Sequence, residues 1–175
     1  KKYAPQVEVV SIRGNVETRL RKAQGDEAEG AVLAAAGMIR LGLQEQITEY
    51  LPITQFVPPP GQGILAVEAR ADDHRMLRLL SAIDDLDTRL EATAERAFLA
   101  ELGGGCSVPV GAYAQCAGMD MLMTIFMSTE DGAKSVTTQV KGPKEDALGI
   151  ANAAYQALKR EGGADLVAAA KANQS

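Results

Sequence analysis

The sequence predicts an α/β unit with a partial parallel sheet and flanking helices, followed by a small α+β domain with a three-stranded antiparallel sheet. Two successive strand-to-helix patterns at the start of the chain predict the first part, since such alternation is typical of parallel sheets. Three strand-like runs at hairpin spacing, with helical patterns on both sides, predict the second part. A proline-rich crossover at residues 57–63 marks a predicted domain boundary.

The composition is that of an ordinary globular protein. The 175 residues are enough for one large domain or two small ones, and the net charge of −5 argues against nucleic acid or an anionic membrane as the principal partner. The apolar runs are shorter than the roughly 18 residues that span a bilayer. Two cysteines are too few for a disulfide framework, and no secretion signal is visible, so we expect a cytoplasmic location.

Each of the two strand-to-helix patterns has its own local signals. A β-rich run over residues 7–12 precedes Asn15, a candidate N-cap for a helix over residues 16–22. A second apolar run over residues 30–36 is short enough for a buried strand and leads into a helix over residues 37–43. We therefore expect two parallel strands whose following loops share one rim of the sheet.

Three arginines follow these predicted strands. Arg13 and Arg19 bracket the start of the first helix, and Arg40 lies in the second. The carboxyl edge of a parallel sheet is where such folds bind ligands, and a guanidinium group grips a carboxylate or a phosphate with two hydrogen bonds. The cluster predicts an anion site, and solvated surface arginines are the alternative.

The segment after the crossover predicts one strand and one helix. Residues 64–69 are strand-like, and Asp72 or Asp73 can cap a helix that reaches Leu80. His74 is the only histidine of the chain and lies at this helix start. Since a lone histidine makes no metal site, we expect it to be a solvated helix residue and predict no metal in the protein.

A new unit is predicted to begin at residue 84 with a long amphipathic helix. Asp85, Asp87 or Thr88 can cap it, and Glu91 can complete a capping box. Its predicted apolar face consists of Leu86, Leu90, Ala94, Ala97, Phe98 and Leu102. The antiparallel meander is predicted over residues 108–115, 121–128 and 135–140.

Two helices complete the predicted unit, both on one face of the meander. Pro143 suits the first position of the earlier helix, which two glycines at 162–163 end. Its predicted apolar face consists of Leu148, Ala151, Tyr155 and Leu158. The later helix is predicted over residues 165–172.

The stretch of residues 94–111 contains the most specific chemical signal. Its helical pattern ends at three glycines, 103–105, which free the backbone for tight conformations, and Cys106 follows on the loop. The sulfur is a candidate nucleophile, although a helix C-terminus does not activate a thiolate, and a buried cysteine that packs as a small hydrophobe is the alternative. Cys116 lacks the glycine hinge and is expected to be a packed small residue.

Residues 94–114, which read AERAFLAELGGGCSVPVGAYA, resemble the cysteine-loop signature of the hydroxymethylbilane synthase family, also called porphobilinogen deaminase. Residues 11–22 and 32–43 resemble further segments of that family. The resemblance implies a periplasmic-binding-protein-like second domain with its crossover over residues 1–63, a return segment of the first domain over 64–83, and a cofactor-carrying α+β domain over 84–175. It implies that the N-terminal domain is absent from this chain, which we expect to be a piece of a longer protein.

The family's activity is what the resemblance implies for the complete enzyme. It is a transferase that joins four porphobilinogen molecules into hydroxymethylbilane in tetrapyrrole (haem) biosynthesis, releasing ammonia at each condensation. The growing pyrrole chain extends from a dipyrromethane primer, which the resemblance attaches to Cys106 by a thioether. The acid/base aspartate belongs to the missing N-terminal domain, so we expect this chain alone to be inactive and the full-length enzyme to be a monomer.

The resemblance also implies the binding residues. The cofactor is implied to contact Arg13, Arg19, Ala34, Gly37 and Gln62. Arg40 and Arg96 are implied to bind substrate, with a salt bridge to Glu101 as the alternative for Arg96.

The sequence departs from the family pattern at two places outside the proposed chemistry. Gly103 stands where a glutamate is common, and Pro59-Pro60 replace more usual small and branched residues. Two functions from other classes remain open. A non-enzymatic carboxylate-binding module would use the same arginines without needing Cys106, and a structural α+β interaction domain would need neither.

Overall fold

The computed structural model describes residues 4–25, 28–103 and 109–172. The chain divides into two compact units, residues 1–52 and residues 53–175. The three-part division predicted from the sequence, with boundaries at residues 63 and 83, stays a prediction.

The described residues of the first unit form two short helices, α1 (Val16–Ala23) and α2 (Ala35–Arg40), and one 3₁₀ turn (Gln44–Gln46). The predicted cap of α1 is confirmed, since the Asn15 side chain accepts a hydrogen bond of 2.8 Å from the Thr18 N–H. A Cβ built on Gly37 would lie 3.5 Å from Cγ2 of Val16, so the two helices are in contact there. Met38 is the one buried residue among the described residues of this unit.

The parallel sheet predicted for the first unit is not formed by its described residues. Residues 7–12 and 30–34 are extended without belonging to a ladder, and Val9 is 71% exposed. A strand gains its stability from ladder hydrogen bonds and cross-strand side-chain pairs, and the described part of this unit offers these segments no neighbouring strand. The helix predicted from residue 37 also begins two residues earlier, at Ala35.

The segment after the crossover has one helix, α3 (His74–Leu80), and no strand over residues 64–69. Asp73 caps α3 by accepting a hydrogen bond of 2.9 Å from the Met76 N–H, and His74 is exposed, as predicted. Apolar side chains here remain uncovered: Leu65, Val67, Met76, Leu77, Leu79 and Ile83. This segment therefore contributes nothing to the buried core.

The antiparallel meander is confirmed and has strand order β1-β2-β3. Its strands are β1 (Val110–Ala117), β2 (Asp120–Ser128) and β3 (Ser135–Pro143). Val110 pairs with Met127 and Ser128 pairs with Ser135, which sets the register of the two hairpins. The helices are α4 (Leu86–Glu101), α5 (Ala147–Leu158) and α6 (Ala164–Ala172).

The core lies between the sheet and the helices. Helix α4 packs on β1, α5 packs on β3, and the two helices pack on each other. Alternate residues of the central strand β2 are fully buried beneath them: Met121, Met123, Ile125 and Met127. Phe98 of α4 and Leu158 of α5 are buried in the same cluster. The second unit, residues 53–175, therefore contains the small α+β domain that the sequence predicts, and we call this unit the meander unit.

Four local predictions in this unit are wrong. Pro143 ends β3, an edge strand that tolerates its missing N–H, and α5 begins at Ala147 after the Asp146 cap. Leu148 is 64% exposed because Ile150 and Ala154 take the buried positions of α5, and Leu86 is exposed at the first turn of α4. Asp85 caps α4, because its side chain accepts a hydrogen bond of 2.8 Å from the Thr88 N–H. The capping box predicted between Thr88 and Glu91 therefore does not form.

Candidate functional site: the carboxylate-held edge of the sheet

The edge of β1 that does not pair with β2 is covered by α4 and by the crossover segment, residues 57–63. Alternate N–H groups of an edge strand point away from the sheet and need acceptors. Three acceptors bind these N–H groups. The Pro58 carbonyl accepts from the Ala112 N–H at 2.9 Å, the Glu95 carboxylate from the Ala114 N–H at 2.8 Å, and the Glu91 carboxylate from the Cys116 N–H at 2.7 Å. The edge is thereby closed to strand addition over most of its length.

Glu95 is the least exposed charged residue among those described, at 3%. Its Oε1 accepts from Ala114, and its Oε2 accepts a hydrogen bond of 2.6 Å from the Gly61 N–H in the crossover. Burial raises the pKa of Glu95, the two backbone N–H bonds oppose this rise, and the nearby Glu91 charge adds to it. A single carboxylate therefore ties the helix, the strand and the crossover together.

Glu95 is not among the residues predicted from the sequence. Its position between Ala94 and Phe98 borders the buried face of α4, but an apolar periodicity search assigns a glutamate to the solvent side. The available signal was the spacing of Glu91 and Glu95, four residues apart beside that face, which puts two acceptors in one row.

The crossover itself approaches the sheet very closely. A Cβ built on Gly111 would overlap the carbonyl oxygen of Val57, so a glycine is required where the two backbones meet. Gly61 and Gly63 have φ values of +79° and +84°, which glycine adopts without strain, and the Gln62 side chain between them is exposed. The loop thus presents the Gln62 amide to solvent, and the contact with the cofactor that the resemblance implies for Gln62 stays a prediction.

Cys106 lies outside the described residues, so its predicted attachment to the cofactor stays a prediction. The structure does describe the helix that leads toward it. Helix α4 ends at Glu101, Leu102 is buried beneath it, and Gly103 has a φ of +94°. The predicted helix and glycine signal are therefore present immediately before the cysteine loop.

Cys116 is a partly buried free cysteine that packs against the core. Its Sγ lies 3.8 Å from the Asp87 carbonyl oxygen. Burial, together with the negative charges of Glu91 and Asp87, raises the pKa of Cys116 to about 11. The group stays a thiol at neutral pH, which agrees with the predicted role as a packed small residue.

The arginines of the first unit are available to an anion. Arg13 and Arg40 are exposed, and the half-buried Arg19 donates a hydrogen bond of 2.8 Å from Nε to the Gly14 carbonyl. Arg19 is one turn beyond Val16 on α1, and Arg40 is one turn beyond Gly37 on α2. The side chain of Val16 lies next to Gly37, and Arg13 precedes the Asn15 cap of α1.

Ala34 forms the start of α2. It is the N-cap residue, and its carbonyl accepts from the Gly37 N–H at 3.0 Å. Both residues implied to lie along the cofactor therefore belong to one helix start, next to the contact with α1.

Arg96 occupies a different part of the molecule from the crossover. It is exposed and lines a shallow groove between α4 and α5 with Arg89, Thr93 and Leu148. Consecutive helical residues point about 100° apart, so Arg96 diverges from its buried neighbour Glu95. Among the described residues no ion pair joins Arg96 to Glu101, whereas Arg89 pairs with Asp84 at 3.0 Å. The structure thus does not bring Arg96 to Gln62.

Residues 4–25, 28–103 and 109–172 contain no group of three or more histidine, cysteine, aspartate or glutamate side chains placed to hold a metal ion. They also contain no helix long and apolar enough to cross a membrane.

Two family models match the chain in succession. The model described as "Porphobilinogen deaminase, dipyromethane cofactor binding domain" matches residues 1–78. The model described as "Porphobilinogen deaminase, C-terminal domain" matches residues 89–159. The second match contains the whole meander and α4 from its second turn onward, together with Cys106.

Curated relatives agree with both matches. Over 164 residues the chain is 44% identical to the porphobilinogen deaminase of Roseiflexus sp. (strain RS-1), an alignment that covers 94% of this chain and 54% of the relative. The enzyme of the same name from Geobacter sulfurreducens is 40% identical over 167 residues, covering 95% of this chain and 52% of the relative. The porphobilinogen deaminase of Alkaliphilus metalliredigens is 49% identical over 146 residues, an alignment that covers 82% of this chain and 46% of the relative.

The chain spans about half the length of the curated relatives it matches. Residues 1–78 match the family's dipyrromethane cofactor-binding domain, and residues 89–159, which contain the three strands of the meander, match the family's C-terminal domain. Because both matches name the same enzyme and follow one another along the sequence, the chain belongs to the porphobilinogen deaminase family.

Proposed function

We propose that this chain is part of an enzyme that condenses four porphobilinogen molecules into hydroxymethylbilane on a cysteine-linked dipyrromethane primer, with release of ammonia. The observation that carries the proposal is the 44% identity over 94% of the chain, a span that includes the cysteine loop. A carboxylate-binding module would account for the arginines of the first unit but not for the C-terminal domain match. A structural interaction domain would account for neither.

The donor set of the first unit fits a ligand that bears carboxylates. Arg13, Arg19 and Arg40 offer guanidinium groups, which form paired, charge-assisted hydrogen bonds with carboxylates. Ala34 and Gly37 contribute the start of α2, where the backbone is close to the surface of α1. When bound, the dipyrromethane supplies the terminal pyrrole to which further units are added.

The remaining residues have distinct proposed roles. Cys106 tethers the primer through its sulfur. Gln62 presents an amide that can both donate to a carboxylate and accept from a pyrrole N–H. Arg96 binds substrate carboxylates at the surface of α4. The acid/base carboxylate comes from a part of the enzyme that this chain does not include, so the chain alone has no turnover.

We further propose the finer architecture of the first unit. The extended segments 7–12 and 30–34 become parallel strands of a periplasmic-binding-protein-like sheet when the rest of the enzyme supplies their neighbours. Their exposed valines and their lack of ladder bonds in the described residues support this. The complete enzyme is proposed to act as a cytoplasmic monomer, with porphobilinogen and the growing pyrrole chain as its ligands.

Intact-protein mass spectrometry tests the proposal. The chain is produced together with the N-terminal part of a porphobilinogen deaminase relative, and its mass is compared with that calculated from the sequence. We expect a covalent adduct that is lost in Cys106→Ala and retained in the matched control Cys116→Ala. An unmodified wild-type chain, or an adduct that survives Cys106→Ala, would refute the proposed tether.

A further inference from the structure

We propose that Glu95 is a positioning residue, whose buried carboxylate clasps the crossover to the edge of β1 and so fixes Gln62 in its exposed position. The role of Gln62 toward a ligand rests on the proposed function. The clasp itself rests only on the contacts of the described residues.

The first support is that Glu95 uses both of its oxygens on two separate segments. Oε1 accepts from Ala114 in the strand at 2.8 Å, and Oε2 accepts from Gly61 in the crossover at 2.6 Å. Glu91, one turn earlier on the same helix, accepts from Cys116 of the strand alone. The two carboxylates therefore share a helix face and a strand but differ in whether they reach the crossover.

The second support is the chemistry of the crossover. Its three prolines have no N–H, so residues 58–60 can approach a strand edge only as acceptors. The Pro58 carbonyl makes such a contact with Ala112. Gly61 is the first crossover residue after the prolines with an N–H to donate, and that N–H goes to Glu95. The crossover is thus anchored at Pro58 by the sheet and at Gly61 by the helix, with Gln62 immediately after the second anchor.

The third support is that Glu95 accepts at two oxygens, which the single oxygen of an amide cannot do. Both partners of Glu95 are N–H donors, and a carboxylate accepts at both oxygens. A glutamine has one acceptor oxygen, so its NH₂ group would face either Gly61 or Ala114. At Glu91 a glutamine keeps the single oxygen that Cys116 needs. Glu95→Gln and Glu91→Gln are therefore a matched pair in which only Glu95→Gln loses a hydrogen bond to a backbone N–H.

Amide hydrogen exchange of the full chain tests the clasp. In Glu95→Gln we expect exchange at residues 61–63 to be at least about tenfold faster than in the wild type. Exchange across β2 should stay within about twofold, because the ladder is intact. In Glu91→Gln exchange at residues 61–63 should be unchanged. A uniform rise across the whole domain in Glu95→Gln would indicate a merely structural role and refute the proposal, as would no change at residues 61–63.

A second variant keeps the test decisive if Glu95→Gln does not fold. Gly111→Ala leaves the carboxylate untouched but pushes the crossover away at Val57, since the added Cβ would overlap its carbonyl oxygen. We expect faster exchange of the Ala112 N–H, which bonds to the Pro58 carbonyl, while the Gly61 amide keeps its protection because Glu95 still holds it. Equal loss of protection at Ala112 and Gly61 would show that Glu95 does not hold the crossover.

Binding of porphobilinogen, measured by calorimetry, separates this proposal from the proposed function. If Gln62 contacts the ligand, Gln62→Ala and Glu95→Gln should both weaken binding, and Glu91→Gln should not. If Gln62→Ala binds as the wild type does, the proposed ligand role of Gln62 is refuted, and the exchange rates alone decide whether Glu95 is a clasp.

Discussion

The two units of the chain differ in how completely they satisfy their own sequence patterns. In the meander unit the strands pair in register, the edge of β1 meets acceptors from α4 and the crossover, and the helices bury one face of the sheet. In the first unit the β-rich segments 7–12 and 30–34 have no ladder, and Met38 is the one buried residue described. Both regions have strand-like sequences, yet among the described residues only those of the meander unit form strands.

An alternating or apolar pattern carries limited information about strand formation. It specifies that a segment suits a pleated, buried environment, but not that a partner lies within the same compact unit. In a hairpin the partner strand follows directly after the turn, so pairing is local, whereas parallel strands pair with segments that are distant in sequence. The C-terminal unit should therefore behave as a cooperative domain, and the first unit should not.

The largest change in the free energy of unfolding is expected when a buried side chain of the meander unit is removed. Phe98 is fully buried between α4 and the sheet, so Phe98→Ala should destabilise this unit by about 3–5 kcal/mol. Leu86→Ala, at the exposed start of the same helix, should cost less than about 0.5 kcal/mol. Urea denaturation followed by circular dichroism measures both.

A third variant tests the comparison between the units. Met38→Ala removes the buried side chain of the first unit and should leave the transition of the C-terminal unit at its wild-type midpoint. A shift comparable with that of Phe98→Ala would show that the two units share one core, and the contrast drawn above would be wrong.

Thiol alkylation reports packing at the covered sheet edge on a smaller scale. With a pKa of about 11, Cys116 should react about two orders of magnitude more slowly at pH 8 than a free cysteine with a pKa of about 8.5. The measurement uses a Cys106→Ala background, so that one thiol is read.

Glu91→Gln should accelerate this alkylation, because the Glu91 carboxylate raises the pKa of Cys116 through its charge and a hydrogen bond. Glu45→Gln, on the exposed 3₁₀ turn of the first unit, should leave the rate unchanged. Rapid alkylation of Cys116 in the Cys106→Ala background would contradict the packed environment assigned to it.

The features that the sequence predicts correctly depend on contacts between residues close together along the chain. The caps Asn15, Asp73 and Asp85 are correct because a side-chain oxygen needs only the N–H three residues later. The meander is correct because turn residues and alternation act over one hairpin. Placing Pro143 at a helix start failed because the same residue also suits the end of an edge strand, and tertiary pairing decided between them.

The candidate site shows the same limit. The motif around Cys106 identifies the family, but the role of Glu95 depends on Gly61 and Ala114, which lie 34 and 19 residues away. No local periodicity encodes such a contact. The predicted arginines remain proposals because their function depends on a ligand, whereas Glu95 is visible from the protein's own hydrogen bonds.

The smallest expected effect concerns the opposite responses of two carboxylates on α4 to pH. Hydrogen bonds from Thr88 lower the pKa of Asp85, so its stabilising contribution is present at neutral pH and is lost as the pH falls through that lowered pKa. Burial raises the pKa of Glu95, so its contribution is fully present below the unfolded-state value of about 4.3 and declines as the pH rises through its folded-state pKa.

Urea denaturation from about pH 3 to about pH 8 can separate the two slopes. Asp85→Asn keeps a side-chain oxygen at the cap but removes the charge, so the advantage of the wild type over this variant should shrink on acidification. The advantage of the wild type over Glu95→Gln should instead be greatest in acid and smaller at pH 8. Parallel slopes would mean that Glu95 is no more desolvated than Asp85, and the distinction between a buried clasp and a surface cap on one helix would fail.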